Sequence, residues 1–152
     1  MISASNIYLV GPMGVGKTTV GKALAKSLGM DFIDSDQQIE DRTGVSISTI
    51  FDIEGEEGFR KREAQMIFEL VQKKNIVLAT GGGAVAREDV RKVMRHNGLV
   101  IYLHATVEML VERTRSSKNR PLLNSDKEPR EVLESLMQER EPLYRAEADI
   151  VF

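Results

Sequence analysis

The residues best suited to chemistry in this sequence begin with the glycine-rich stretch GPMGVGKTT, which runs from Gly11 to Thr19. Its spacing fits the pattern G-x-x-x-x-G-K-[ST], which is typical of phosphate-binding loops. Glycines let the backbone curl so that successive N–H groups face an anion, and Lys17 adds a compact positive charge. Thr18 provides a hydroxyl for Mg²⁺. The predicted nucleotide-binding residues are Gly14, Val15, Gly16, Lys17, Thr18 and Thr19.

A second glycine pattern, G-x-G-x-x-G, is typical of dinucleotide-binding folds and also begins correctly here, at Gly14 and Gly16. Its third glycine is replaced by Thr19, so the mononucleotide interpretation is favoured. An ordinary strand-to-helix turn is the simpler alternative, but it leaves the pair of Lys17 and Thr18 unexplained.

Two carboxylates, Asp34 and Asp36, follow a short apolar stretch that we interpret as the second strand. In an extended segment, residues two apart point to the same side. Asp34 can then act on a metal through water while Asp36 faces an acceptor hydroxyl. The alternative is that Asp36 caps a helix beginning at Gln37. We favour the site, because ligands of open α/β sheets bind at the carboxyl ends of the strands.

Two further stretches could bind the molecule whose hydroxyl faces Asp36. Arg60 and Glu63 are three residues apart on a predicted helix, so the carboxylate can orient the guanidinium and leave part of its fork for an anion. A solvated charged helix would have the same sequence. The run from Gly81 to Gly83 follows a buried strand and is costly in backbone entropy, which predicts close approach of a ligand, with a tight turn as the alternative.

The elements that must position these residues alternate along the chain. Apolar runs predict strands at 7–10, 32–33, 76–80, 99–103 and from 150, and amphipathic segments between them predict helices. Between the second and third strands, Gly44 ends one helix, residues 46–51 suggest a short second one, and a third follows. The alternation predicts an α/β fold with right-handed βαβ units and a parallel sheet covered on both faces.

Composition limits the size and the partners of the protein. A chain of 152 residues fits one domain, and a net charge of -2 with both signs dispersed argues against broad binding of nucleic acid or anionic membranes. The sequence has no cysteine, which excludes disulfides and thiolate metal sites and is compatible with the cytoplasm. It shows neither a signal peptide nor an apolar run long enough to span a bilayer. We expect small-molecule partners and a monomer.

The segment at about 114–126 is polar and basic and contains a proline, which predicts a loop. Its cations, among them Arg120, suit a lid that closes over ATP phosphates. A solvated basic loop would look similar.

With these residues in view, the chain resembles the shikimate kinase family. The similarity covers essentially all 152 residues through the separated motifs GPMGVGKTT, DSD, EGEEGFRKRE, ATGGG, NRPLL and REPLY. It implies the three-layer P-loop fold of nucleoside monophosphate kinases, with five parallel strands in the order 2-3-1-4-5. It also implies one domain, 1–152, with a substrate-binding insertion at about 34–62 and a lid at about 114–126.

The resemblance implies an ATP-dependent kinase that transfers the γ-phosphate to the 3-hydroxyl of shikimate, with Mg²⁺, in the pathway to chorismate and aromatic amino acids. Two arginines could bind the acceptor carboxylate while Asp36 accepts from the attacking hydroxyl. The expected substrate-binding residues are Asp36, Arg60, Gly81, Gly82, Gly83 and Arg140. The expected catalytic residues are Lys17, Asp36 and Arg120, and the expected metal residues are Thr18 and, through water, Asp34.

Two features depart from what such a kinase leads one to expect. The third strand ends in Thr80 where a Walker B element would have aspartate, so Mg²⁺ must depend on Thr18, the phosphates and water. The family also continues beyond the fifth strand into a helix that helps cover the adenine, and we expect that helix to be absent from a sequence ending at Phe152.

Two rival functions stay open at this stage. One is a P-loop kinase for another small hydroxy acid such as gluconate. The other is a non-catalytic nucleotide-binding switch, which would have no need for a second set of residues that binds an acceptor.

Overall fold

A five-stranded parallel sheet in the order β2-β3-β1-β4-β5 forms the centre of the protein. The computed structural model describes residues 6–114 and 128–152. The strands are β1 (Ile7–Val10), β2 (Asp31–Asp34), β3 (Ile76–Ala79), β4 (Leu99–Tyr102) and β5 (Ile150–Val151). The helices are α1 (Lys17–Leu28), α2 (Ser35–Thr43), α3 (Ile47–Leu70), α4 (Glu88–Asn97), α5 (Val107–Thr114) and α6 (Pro129–Glu147), with a 3-10 turn at Ala84–Ala86. The predicted strand order and fold class are confirmed.

The central strand β1 is buried on both faces, as a parallel sheet with helices on both sides requires. Tyr8 pairs in register with Leu78 on one side and Val100 on the other, and all three side chains have no solvent exposure. Because β1 lies between β3 and β4, its carboxyl end opens at the point where the strand order reverses. Ligands of open α/β sheets bind at that position.

Two apolar clusters cover the two faces of the sheet. Tyr8 belongs to one cluster and Leu9 to the other, because successive strand side chains point to opposite faces. Helix α6 contributes to both, with Leu133 in the cluster around Leu9 and Tyr144 in the cluster around Tyr8. The position of α6 therefore depends on packing at both faces of the sheet.

The segment between β2 and β3 contains the two successive helices that were expected at 46–51 and beyond. They follow each other without a loop as α3, from Ile47 to Leu70. A kink divides it at Gly55, whose φ of 74° and ψ of 178° are not helical. Glycine adopts this conformation without the strain that a side chain would cause, so the two predicted helices join end to end.

The predicted lid lies almost wholly outside the described residues, as does Arg120. Among residues 6–114 and 128–152, every helix is too short or too polar to span a bilayer.

Candidate active site

The loop between β1 and α1 owes its shape to glycines in the left-handed region. Gly11, Gly14 and Gly16 have φ values of 148°, 84° and 101°. At Gly11 a Cβ atom would also lie only 2.6 Å from the carbonyl oxygen of Leu103. A side chain at this position would therefore be both strained and obstructed.

Helix α1 begins at the end of this loop without a capping side chain and without an acidic residue in its first turn. Its N-terminal N–H groups and dipole therefore favour an anion. The Nζ atom of Lys17 donates to the carbonyls of Gly11 at 2.6 Å and Pro12 at 2.9 Å, which draws the loop around the ammonium group. The side chain of Val15 is 7 % exposed and packs in the core, so this residue can offer a ligand only its backbone.

The two residues predicted to act on the metal lie side by side. The hydroxyl of Thr18 donates to Oδ2 of Asp34 over 3.0 Å. The other oxygen of Asp34 accepts from the backbone N–H groups of Asp36 at 2.9 Å and Gln37 at 3.3 Å. Asp34 is therefore the N-cap of α2, and the interpretation of Asp36 as the cap is wrong. The two carboxylates do not share an extended segment either, because Asp36 already lies in the first turn of α2.

The carboxyl groups of Asp36, which is partly buried, and Glu63, which is buried, lie together beside Gly81. Within the described part of the chain, Oδ1 of Asp36 and Oε2 of Glu63 are buried without a hydrogen-bond partner. Burial raises the pKa of Asp36 to about 7, and the charges of Glu63 and Asp34 add to this effect. Burial likewise raises the pKa of Glu63, against the attraction of Arg60. Both of these oxygens are shielded from solvent, so a ligand in the cavity would meet the remaining oxygen of Asp36.

Arg60 is held in place rather than solvated. Its Nη1 atom lies 2.7 Å from Oε1 of Glu63, and its Nη2 atom lies 3.5 Å from Oε2 of Glu56. The side chain is only 13 % exposed, and its guanidinium carbon lies 5.1 Å from the centre of the Phe59 ring. The alternative of a solvated charged helix therefore does not hold at this position.

The three consecutive glycines are explained by space rather than by backbone conformation, since none has a φ in the left-handed region. A Cβ atom at Gly81 would overlap Oε2 of Glu63, and one at Gly83 would overlap the guanidinium of Arg60. At Gly82 it would lie 3.2 Å from the backbone nitrogen of Met13. The sequence predicted that a ligand approaches the glycine backbone closely. In the structure, the side chains of Glu63 and Arg60 occupy that space.

Arg140 approaches the same turn from α6 and is 6 % exposed. One of its Nη atoms lies 3.5 Å from the position that a Cβ atom of Gly82 would occupy. Arg140 and Arg60 thus reach one glycine turn from two different helices.

Two residues in this region were not predicted from the sequence. Tyr144 donates its hydroxyl to the carbonyl of Gly82 over 2.5 Å. Arg113 donates to the carbonyls of Val15 at 2.7 Å and Gly14 at 3.3 Å, and so supports the phosphate loop from α5. The signals for Tyr144 were its place one helical turn after Arg140 and its position at the end of the REPLY motif. Nothing in the sequence near Arg113 pointed to the loop.

Most of these groups line one cavity of about 410 Å³ at the carboxyl ends of the strands, whereas Tyr144 lies behind its wall. Apolar side chains form part of its wall, among them Phe51 and Phe59, whose ring centres are 5.0 Å apart. Val15 does not line the cavity. The predicted site residues that do are Gly14, Gly16, Lys17, Thr18, Thr19, Asp34, Asp36, Arg60, Gly81, Gly82, Gly83 and Arg140.

The donors around Thr18 fit Mg²⁺, because a hydroxyl and a carboxylate are hard oxygen ligands. Across residues 6–114 and 128–152 no three histidine, cysteine or acidic side chains are grouped so that they could hold a metal by themselves. Thr80, at the Walker B position, is buried and donates to the carbonyl of Leu9 over 2.8 Å. Phosphate oxygens and water would have to complete the coordination.

Comparison with known proteins adds three findings. The family model described as "Shikimate kinase" matches residues 13–152. The shikimate kinase of Histophilus somni is 56% identical over 99% of this chain and 86% of its own length, and that of Francisella philomiragia is 58% identical over the same shares. The structure of the Acinetobacter baumannii shikimate kinase in complex with shikimate is 49% identical and superimposes with a TM-score of 0.95 over 99% of this chain and 83% of that one.

A gluconokinase from Sinorhizobium meliloti shares the fold alone, with 17% identity and a TM-score of 0.56 over 89% of this chain and 74% of that one. Both its sequence identity and its TM-score are far below those of the Acinetobacter baumannii shikimate kinase. The chain therefore belongs to the shikimate kinase family, whose members transfer a phosphoryl group from ATP to a hydroxyl of shikimate.

Proposed function

We propose that the cavity binds ATP along the loop from Gly11 to Thr19 and shikimate between Asp36 and the two arginines, and that the γ-phosphate passes to the 3-hydroxyl. One observation carries this assignment. Gly82 lies against the backbone nitrogen of Met13 in the phosphate loop and against the guanidinium of Arg140. The phosphate loop and the acceptor residues therefore adjoin each other at Gly82 in the same cavity. Substrates bound to the two would lie next to each other.

Two nearly buried arginines account for the acid group of the acceptor. Arg60 and Arg140 come from α3 and α6, and each presents a planar fork that suits a carboxylate. Glu63 neutralises part of their charge and fixes Arg60. The two guanidiniums offer donors to an anionic substituent in a cavity that also has an apolar wall, and a cyclic hydroxy acid suits both features.

Asp36 is the group in position to receive the proton of the attacking hydroxyl. Asp36 lines the cavity together with Lys17 and the two arginines. Its raised pKa, about 7, is close to the pH at which a general base works best. Lys17, in the adjoining loop, would counter the negative charge that develops on the transferred phosphoryl group.

Thr18 and Asp34 would hold Mg²⁺, Thr18 by its hydroxyl and Asp34 through water. When bound, the ion would offset charge on the β- and γ-phosphates. We assign to Arg120 a contact with the ATP phosphates from the lid at about 114–126, on the strength of the matching NRPLL motif.

We place the enzyme in the cytoplasm as a monomer. The absence of cysteine suits a reducing compartment. Light scattering coupled to gel filtration tests the oligomeric state, and a mass of twice 17.0 kDa would contradict the monomer.

A direct test is to incubate the protein with ATP, Mg²⁺ and shikimate, quinate or gluconate in turn, and to identify products by ³¹P NMR. We expect a phosphate monoester of shikimate and little product from the other acids. Preferred phosphorylation of gluconate would support the kinase alternative. ATP binding without transfer to any acid would support the switch, although a switch would have no use for the buried arginine pair.

A further inference from the structure

We propose that Tyr144 is a positioning residue for the acid substrate, because its hydroxyl fixes the Gly82 carbonyl relative to the Arg140 guanidinium. This inference rests on the proposed acceptor roles of Gly82 and Arg140. It adds a residue that touches neither the nucleotide nor the reacting atoms.

The first observation is the bond itself. Tyr144 has no solvent exposure, and its hydroxyl lies 2.5 Å from the carbonyl oxygen of Gly82, a residue 62 positions earlier in the chain. Burial raises the pKa of Tyr144 to about 12, so the phenol stays protonated and remains a donor at every physiological pH. The bond therefore joins α6 to the glycine turn after β3 under all working conditions.

The second observation concerns the glycine turn. Three glycines in a row can adopt many backbone conformations, so their carbonyls need fixed partners. Those of Gly81 and Gly83 accept from the N–H groups of Ala84 and Ala86, each at 3.1 Å, inside the same turn. That of Gly82 accepts from Tyr144. The Tyr144 bond thus ties the turn to another element of the protein.

The third observation concerns Arg140. It precedes Tyr144 by one helical turn, where side chains lie side by side. Its Nη1 atom lies 3.5 Å from the position that a Cβ atom of Gly82 would occupy, and Gly82 is the residue whose carbonyl accepts from Tyr144. The hydroxyl of Tyr144 therefore holds the backbone that Arg140 approaches, and its loss leaves the Gly82 carbonyl without this donor.

Tyr144 is itself rigidly placed. Its ring stacks on that of Tyr102 with centres 5.0 Å apart and an angle of 23° between the planes. The hydroxyl of Tyr102 donates to the carboxylate of Glu141, which lies on α6 away from the cavity lining. Tyr102 is as fully buried as Tyr144, so it offers a matched control.

The test compares Tyr144→Phe with Tyr102→Phe. Each variant keeps the ring and loses one buried hydroxyl. Affinities for shikimate and for a non-hydrolysable ATP analogue are measured separately by calorimetry, at a temperature where circular dichroism shows both variants to be folded. We expect Tyr144→Phe to weaken the binding of shikimate about tenfold, which is the equivalent of one hydrogen bond. The affinity for the ATP analogue should be unchanged. Tyr102→Phe should leave both affinities unchanged even where its melting temperature falls.

A second readout is independent of affinity. In ¹⁵N-labelled protein, the amide signals of Gly82 and Gly83 should shift or broaden in Tyr144→Phe and not in Tyr102→Phe. Unchanged shikimate affinity in Tyr144→Phe, or an equal loss for shikimate and the ATP analogue, would overturn the positioning role.

Arg140→Lys separates this inference from the proposed function. If Arg140→Lys weakens the binding of shikimate and Tyr144→Phe does not, only the positioning role of Tyr144 fails. If Arg140→Lys has no effect on shikimate, the acceptor assignment fails as well. In the double variant we expect a loss smaller than the product of the two single losses, because both changes remove parts of one interaction.

Discussion

The hydroxyl of Thr18 lies 3.0 Å from Oδ2 of Asp34, while Oδ1 of the same carboxylate caps helix α2. One side chain thus joins the phosphate loop to the first helix of the acceptor side. Its two oxygens have separate roles, and substitutions can separate them.

Asp34→Asn should keep the cap and lose the charge, because asparagine caps helices about as well as aspartate. We expect a melting temperature close to that of the wild type and a several-fold higher Mg²⁺ concentration for half-maximal activity. Asp34→Ala should show the same change in Mg²⁺ dependence and also lose about 0.5–2 kcal/mol of stability. An unchanged Mg²⁺ dependence in both variants would remove Asp34 from the metal site.

Asp36→Asn should lower the turnover of shikimate by roughly 10² to 10⁴, the usual effect of a positioned general base. Affinity for an ATP analogue should change little. The melting temperature should not fall, because Asp34 provides the helix cap and a buried carboxyl beside Glu63 is replaced by an amide. Asp41→Asn, at an exposed position on the same helix, is the control and should retain full activity. Turnover like that of the wild type in Asp36→Asn would exclude a catalytic role.

The pH dependence should report the same carboxyl. The folded protein keeps the proton of Asp36 up to about pH 7, whereas the unfolded chain releases it near the ordinary pKa of 3.8. Between these values the folded state binds more protons, so the free energy of unfolding falls as pH rises. Relative to Asp36→Asn, the melting temperature of the wild type should therefore decrease from pH 4 to pH 7, while kcat/KM for shikimate increases towards pH 7. Parallel melting profiles for the two proteins would contradict the raised pKa.

Arg60→Lys should weaken the binding of shikimate far more than the binding of ATP, because lysine keeps the charge and loses the planar fork. The loss should be on the order of 1.5–3 kcal/mol for each charged hydrogen bond removed. Arg62→Lys is the matched control, since Arg62 lies on the same helix, is 45% exposed and pairs with Glu54 over 2.6 Å. Equal losses for shikimate and ATP in Arg60→Lys, measured by titration calorimetry, would indicate a structural role instead.

Local patterns explain which parts of the site the sequence could predict. The order of β1, phosphate loop and α1 is encoded within Ile7–Leu28, so spacing and periodicity were sufficient there. The position of Asp36 was predicted for a partly wrong reason, because the strand ends at Asp34 and helix α2 begins one residue later. A difference of one residue at an element boundary decides which carboxylate becomes the cap.

Contacts between distant segments account for what was missed. Arg113 reaches the carbonyl of a residue 98 positions earlier, and Tyr144 one that is 62 positions earlier. No local pattern records such a pairing. The proximity of Glu63 to Arg60 was evident from helical spacing, but its 2% exposure depends on how α3 packs against the glycine turn.

Helix α6 packs in both apolar clusters and also contains Arg140. Leu133 and Tyr144 anchor it on opposite faces of the sheet, so a change of side-chain volume on either face moves the arginine by moving its helix. Selection on substrate preference consequently acts on interior residues as well as on cavity residues. In laboratory evolution toward a differently shaped acid, compensating substitutions should accumulate around Leu133 and around Met137, remote from the reacting atoms yet coupled to the acceptor through the helix.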